Sequence, residues 1–180
     1  MPNLILINGA PGSGKSSLAS AVAREKALTL ALDVDVLKHA LERWDEDAVR
    51  SGLQARRLAV ALTREQLASG FDVVIGQYLP RTAFIEELEH VAHDCGAQFH
   101  EFVLDADAAT LAARLSARRI RADRPEHDVN NRLVGPADAV RLAKSLEGLR
   151  TSRPKAVWVD AGGSLAETTG LILDLLDADG

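Results

Sequence analysis

A chain of 180 residues, 47% of them hydrophobic and with no Pro/Gly/Ser-rich linker, can bury one good core, so one domain over residues 1–180 is expected. The formal charge of -5, with basic residues dispersed except between Arg114 and Arg132, excludes a long cationic track and argues against nucleic acid or anionic lipid as the partner. A lone cysteine, Cys95, excludes an internal disulfide, and no signal peptide or membrane-length apolar stretch is read, so a small-molecule partner and a cytoplasmic setting are expected.

Short apolar runs alternate with longer amphipathic ones from end to end. The first run, Leu4–Ile7, leads directly into Gly9-Ala10-Pro11-Gly12-Ser13-Gly14-Lys15-Ser16, a full match to G-x-x-x-x-G-K-[ST], and a helical pattern follows over Lys15–Lys26. Strand, glycine-rich turn and helix in that order form a phosphate-binding loop. The glycines let several backbone N–H groups point at one anion, the helix adds its positive end, Lys15 reaches the β- and γ-phosphates of a nucleotide, and Ser16 offers a hydroxyl to Mg²⁺. Residues Gly9 through Ser17 are therefore the expected nucleotide contacts.

The second strand, Leu28–Leu32, ends at Asp33-Val34-Asp35, and a helix is expected over Val34–Arg43. A nucleotide-bound Mg²⁺ keeps waters and needs a nearby carboxylate, while an attacking hydroxyl needs a proton acceptor, and two acids one residue apart can divide those tasks. The plain alternative is that Asp35 caps the helix and Asp33 is a solvated turn residue. Trp44 is either a core anchor or part of an acceptor pocket. The next helix, Ala48–Ser69, is the longest and is stopped by Ser69-Gly70; its Arg50, Arg56 and Arg57 either reach a substrate or are solvated.

The third strand, Phe71–Ile75, is followed by Gly76-Gln77-Tyr78-Leu79-Pro80-Arg81. Gly76 permits close backbone approach, Gln77 suits a substrate hydroxyl, and Arg81 presents a planar donor fork at the start of the helix Thr82–Asp94, where a cation gains nothing from the helix dipole. After the fourth strand, Phe99–Leu104, the helix Ala108–Arg121 aligns Arg114, Arg118 and Arg121 on one face, and Arg124-Pro125 stops it. Stacked like charges fit a polyanion arriving between them. The polar, irregular stretch from Glu126 to Gly135 reads as the rest of a cover over the site, a lid spanning about 116–135. Pro136–Leu149 and Leu165–Leu176 are the last helical patterns, with the strand Ala156–Asp160 between them, and Ser164-Leu165-Ala166-Glu167 is a capping box. The five histidines show no metal-ligand spacing with Cys95.

Strands alternating with helices in this way predict an α/β fold, a parallel sheet with helices on both faces, with ligands held at the carboxyl ends of the strands. The motifs together resemble those of the P-loop small-molecule and nucleotide kinases, among them adenylate, shikimate and gluconate kinases and chloramphenicol phosphotransferase. The resemblance covers nearly the whole chain and implies a three-layer fold with a five-stranded sheet of order 2-3-1-4-5 and an arginine-bearing lid. Asp33-Val34-Asp35 is similar to the Asp-x-Asp of shikimate kinase, which implies that Asp33 serves the Mg²⁺ shell and that Asp35 holds and deprotonates the acceptor hydroxyl. Arg114-Leu115-Ser116-Ala117-Arg118-Arg119 is similar to the lid start of adenylate kinase, which implies that Arg114 stacks on adenine and Arg118 contacts phosphates. The acid usual at the end of the third strand is replaced by Gly76 and Gln77, leaving Mg²⁺ to Ser16, Asp33 and water.

The implied activity is ATP-dependent transfer of a phosphoryl group to a small-molecule hydroxyl, with ATP and Mg²⁺ bound. Lys15, Asp33, Asp35 and Arg118 would be catalytic, and Asp35, Gln77, Arg81 and Arg124 would meet the acceptor. A nucleotide or polynucleotide kinase, using Arg50, Arg56, Arg57 and Arg81 around a phosphate, is the alternative enzyme. A nucleotide-driven regulatory module without an acceptor is the alternative outside catalysis.

Overall fold

Every residue of Leu4–Ile7 is apolar, and successive side chains of a strand point to opposite faces, so this strand needs cover on both sides. The computed structural model describes residues 1–120 and 134–178, except for the side chains of 118–120, and provides that cover. In β1 (Asn3–Gly9), Leu4 and Leu6 enter one core with Val73, Ile75 and Val103, while Ile5 and Ile7 enter a second with Val74, Phe102 and Leu104. The sheet is completed by β2 (Leu30–Leu32), β3 (Val73–Gln77), β4 (Gln98–Asp105) and β5 (Val157–Asp160). All pairings are parallel and the order is β2-β3-β1-β4-β5, as the resemblance implies.

Helices α3 (Ala48–Ala68) and α4 (Ala83–Asp94) pack on the first face through Ala55, Ala59, Leu67, Ile85 and Leu88. Helix α1 (Lys15–Arg24), α5 (Ala108–Ile120), α6 (Ala139–Lys144) and α8 (Leu165–Ala178) cover the second. Parallel strands place all five strand ends, and the loops that follow them, along one rim. The short helices α2 (Val34–His39) and α7 (Leu149–Ser152) complete the described chain.

Four elements depart from the periodicity, the third strand by running Val73–Gln77 where Phe71–Ile75 is expected, so that Gly76 and Gln77 belong to the strand rather than to the loop after it. The helix expected over Val34–Arg43 stops at His39, and the chain beyond it turns at Arg43 (φ 57°) so that Trp44 lies back on His39, ring centroids 4.5 Å apart, with Lys38 Nζ 5.0 Å from the Trp44 ring. Trp44 thus anchors a turn. The pattern Pro136–Leu149 divides into a 3₁₀ turn at Pro136–Asp138, then α6 and α7, because Ala139 and Leu142 bury in the second core whereas Leu146 and Leu149 bury in the first. A continuous helix cannot serve both faces of a sheet. The second strand begins at Leu30, not Leu28, since Leu28 is exposed with φ 63°. The local stop signals act as read: Gly70 follows α3 at φ 84°, and Ser164 and Glu167 exchange backbone bonds of 2.9 and 3.3 Å at the start of α8.

Candidate nucleotide and acceptor site

The loop between β1 and α1 curls because Gly12 and Gly14 take φ of 90° and 93°, a region closed to most side chains. Gly12 has a second constraint: a Cβ there would stand 3.1 Å from Leu115 Cγ, so α5 lies directly under the loop. Gly9, Ala10 and Ser13 are buried, Pro11, Gly12, Lys15 and Ser16 are half-buried, and Gly14 and Ser17 face outward at the mouth of α1. The Ser13 hydroxyl is buried without a hydrogen-bond partner among the described residues.

Asp33 and Asp35 meet at the same end of the sheet, and their roles in the backbone are the reverse of the plain alternative. Asp33 caps α2, its Oδ1 accepting from the Asp35 N–H at 2.9 Å, whereas Asp35 lies inside the first turn. Burial pushes the Asp33 carboxyl above its usual range, the neighbouring Asp35 charge pushes the same way, and the Asp35 N–H and the Lys15 ammonium oppose them. Ser16, Asp33, Val36 and Gly76 line one cavity of about 160 Å³ between α1 and β2. A half-buried carboxylate and a serine hydroxyl lining one recess are oxygen donors of the kind a hard divalent cation takes. Among the described residues, no three His, Cys, Asp or Glu side chains gather as a ready-made cluster for a metal. Two protein oxygens would leave the remaining positions to water and phosphate.

Gly76 is held to glycine by its neighbours: a Cβ there would stand 3.0 Å from both the Lys15 carbonyl oxygen and Ala19 Cβ. The first turn of α1 occupies the place where an acidic side chain would project. Gln77 ends β3 half-buried, and Arg81 is exposed on the loop before α4 with no ion-pair partner among the described residues.

Arg114 reaches the loop from α5. Its Nη1 donates to the Ser13 carbonyl at 2.9 Å, and its Nη2 donates to the Ala161 carbonyl at 2.7 Å and lies 3.5 Å from that of Gly163. Its position on the helix is therefore accounted for by backbone acceptors without any anion. Those donors radiate in the guanidinium plane and leave its flat faces for stacking. The side chain also lines a cavity of about 260 Å³ with Ser17, Leu18, Gly163, Leu165 and Thr168. Arg118 belongs to α5, but its side chain, together with Arg121, Arg124 and most of the expected lid, lies outside the described residues.

One contributor was not read from the sequence. Asn8, fully buried one residue before the loop, donates from Nδ2 to the Leu79 carbonyl and accepts at Oδ1 from the Leu79 N–H, both at 2.9 Å. It fastens the loop after β3 to the phosphate-binding loop. An amide directly after the apolar run Leu4–Ile7 was the available signal. Asn8→Ala is expected to lower the unfolding free energy in urea by about 1–3 kcal/mol for each of the two backbone groups it strands.

The AAA domain family model matches residues 4–134. The chain belongs to the AAA domain family. Among solved structures, a gluconokinase from Sinorhizobium meliloti 1021 is similar over 99% of this chain and 98% of its own, with a TM-score of 0.61 and 20% identity. The tunicamycin resistance protein of Deinococcus radiodurans covers 98% and 96% with a TM-score of 0.64 and 19% identity. Deoxyadenosine kinase from M. mycoides covers 98% and 100% with a TM-score of 0.56 and 15% identity. At these identities the likeness is one of fold, a kinase-like P-loop fold that extends beyond the matched family segment to nearly the whole chain. No curated protein matches the chain. No helix among the described residues is long and apolar enough to cross a membrane.

Proposed function

We propose that this protein transfers the γ-phosphoryl group of ATP to a hydroxyl of a small molecule. The observation that carries the reading is the meeting of Ser16, Asp33 and Gly76 around one recess beneath a phosphate-binding loop, with Asp35 two residues from Asp33 on the same rim. The acceptor oxygen bonds to the γ-phosphorus, the bond from that phosphorus to the bridging oxygen breaks, ADP leaves, and the hydroxyl proton passes to the Asp35 carboxylate. The loop amides and Lys15 hold the β- and γ-phosphates and neutralise the charge that develops between them, and Arg118 adds a further cation. Arg114 supplies a flat cationic face to the adenine ring in the larger cavity. Ser16 and Asp33 would hold Mg²⁺, which when bound would offset phosphate charge. Gln77, Arg81 and Arg124 orient the acceptor.

The reading is tested by thermal denaturation with a non-hydrolysable ATP analogue and Mg²⁺, followed by a screen of sugars, nucleosides and hydroxylated acids on that complex. The analogue is expected to raise the melting temperature in a Mg²⁺-dependent manner, and an acceptor to raise it further, since a ligand of the native state stabilises it. A melting temperature indifferent to the analogue would contradict the nucleotide site itself.

A further inference from the structure

Helix α5 meets the phosphate-binding loop through two consecutive residues. Leu115 lies where a Cβ on Gly12 would come within 3.1 Å of it, and Arg114 donates from Nη1 to the Ser13 carbonyl at 2.9 Å. The same guanidinium donates from Nη2 to the Ala161 carbonyl at 2.7 Å, in the loop between β5 and α8. Ser13 stands between Gly12 and Gly14, which have φ of 90° and 93°. A peptide followed by glycine has two accessible orientations, related by turning its C=O and N–H over together, because glycine accepts either sign of φ. Glycine itself does not choose between them. The bond from Arg114 does: the peptide between Ser13 and Gly14 is trans, so its C=O and N–H point in opposite directions. With the carbonyl drawn toward α5, the Gly14 N–H is turned away from α5, and it has no acceptor among the described residues.

We infer that Arg114 is a positioning residue for the phosphate-binding loop: by fixing the peptide between Ser13 and Gly14 it aims the Gly14 N–H at an incoming triphosphate. The inference rests on the nucleotide site of the phosphotransfer reading and adds what keeps that site in shape. Arg114 acts through backbone carbonyls, and a rigid planar fork suits the task, since two of its nitrogens reach carbonyls of two different loops. The loop before α1 and the loop before α8 are thereby tied to each other, and both line the cavity of about 260 Å³. A residue that served only as a stacking face would matter to the base of a nucleotide and leave its phosphates alone. A residue that holds the cradle matters to the phosphates whether or not a base is attached.

Inorganic tripolyphosphate, which has no base, separates the two roles. Calorimetry on the full chain with Mg²⁺ compares tripolyphosphate and ATP for wild type, Arg114→Ala and Arg114→Lys, with far-ultraviolet circular dichroism on each sample. A hydrogen bond to a charged group is worth about ten- to a hundredfold in affinity, so Arg114→Ala is expected to weaken tripolyphosphate at least about tenfold, and ATP by as much or more. Arg114→Lys keeps the charge but offers one ammonium in place of a fork, and is expected to recover little of the loss. In nitrogen-15 spectra the Gly14 amide is expected to shift when tripolyphosphate saturates wild type, and to shift less in Arg114→Ala. Tripolyphosphate affinity that Arg114→Ala leaves unchanged while ATP weakens would make Arg114 a stacking face alone. Full recovery in Arg114→Lys would make it a charge alone, and a Gly14 amide that responds alike in both proteins would mean that its peptide is set by something else. Each of these overturns the inference and spares phosphotransfer. If Arg114→Ala does not fold, Arg114→Lys decides: a tenfold loss of tripolyphosphate supports the inference and wild-type affinity overturns it. A wild type that binds neither ligand contradicts the nucleotide site itself, and the inference falls with it.

Discussion

Lys15→Ala is expected to reduce ATP turnover by at least about 10²-fold, the scale set by deleting one donor aimed at developing charge, while the protein stays folded. The two halves of that statement have separate causes. Lys15 is half-buried at the first turn of α1, outside both hydrophobic cores, so its stem supports little packing. Its ammonium is close enough to Asp33 to hold down part of that carboxyl's upward shift, which puts a positive charge near the recess that Asp33 lines. On the phosphotransfer reading, removing it takes away the side-chain cation proposed to meet the β- and γ-phosphates. Calorimetry with ATP and far-ultraviolet circular dichroism on the same sample check both halves. Unchanged turnover, or a variant that has unfolded, would count against the role.

The two aspartates are expected to fail in different ways under the same substitution. Asn caps helices about as well as Asp, so Asp33→Asn should retain α2, and it removes a carboxylate whose charged form is penalised by burial and by Asp35. A carboxyl whose folded pKa is raised costs stability at pH values above that pKa, and the cost disappears as pH falls and both states take up the proton. Asp33→Asn is therefore expected to melt at or above the wild-type temperature near neutrality in the absence of Mg²⁺, with the difference shrinking in acid. Its turnover should fall and be partly restored by higher Mg²⁺. Asp35→Asn should keep nucleotide and Mg²⁺ binding and lose about 10²–10⁴-fold in turnover, the range for a missing general base. An Asp35→Asn enzyme that keeps most of its activity at saturating acceptor would reduce Asp35 to a first-turn acid favourable to the helix dipole.

Much of the fold was legible because its signals are local. Alternating apolar runs, Gly70 after α3 and the Ser164/Glu167 box each act within a few residues, and the phosphate-binding loop is a contiguous motif. The misread pieces depend on distant partners. Nothing within Val34–Arg43 says that Trp44 will fold back on His39, and nothing within Pro136–Leu149 says that its two halves serve opposite faces of the sheet. The site divides along the same line. Asp33 and Asp35 were visible as acids after a strand, but which of them caps α2 depends on backbone angles, and the cap turned out to be Asp33. Gly76 was read as permitting close approach; the neighbour that approaches is α1. Arg114 was read as one of a row of cations awaiting an anion, yet its partners are carbonyls 101 and 47 residues away. The Asn8 clamp spans 71 residues and had no local signature beyond an amide at the end of an apolar run.

The most direct measurement follows the phosphoryl group itself. Wild type, Lys15→Ala and Asp35→Asn are each incubated with γ-labelled ATP, Mg²⁺ and an acceptor that raises the melting temperature of the analogue complex, and the label is traced by chromatography and mass spectrometry. Phosphotransfer predicts that wild type forms ADP faster when the acceptor is present and that the label appears on an acceptor hydroxyl, with both lost in Lys15→Ala and Asp35→Asn. Label recovered only as inorganic phosphate, at a slow rate that no acceptor changes, would contradict it.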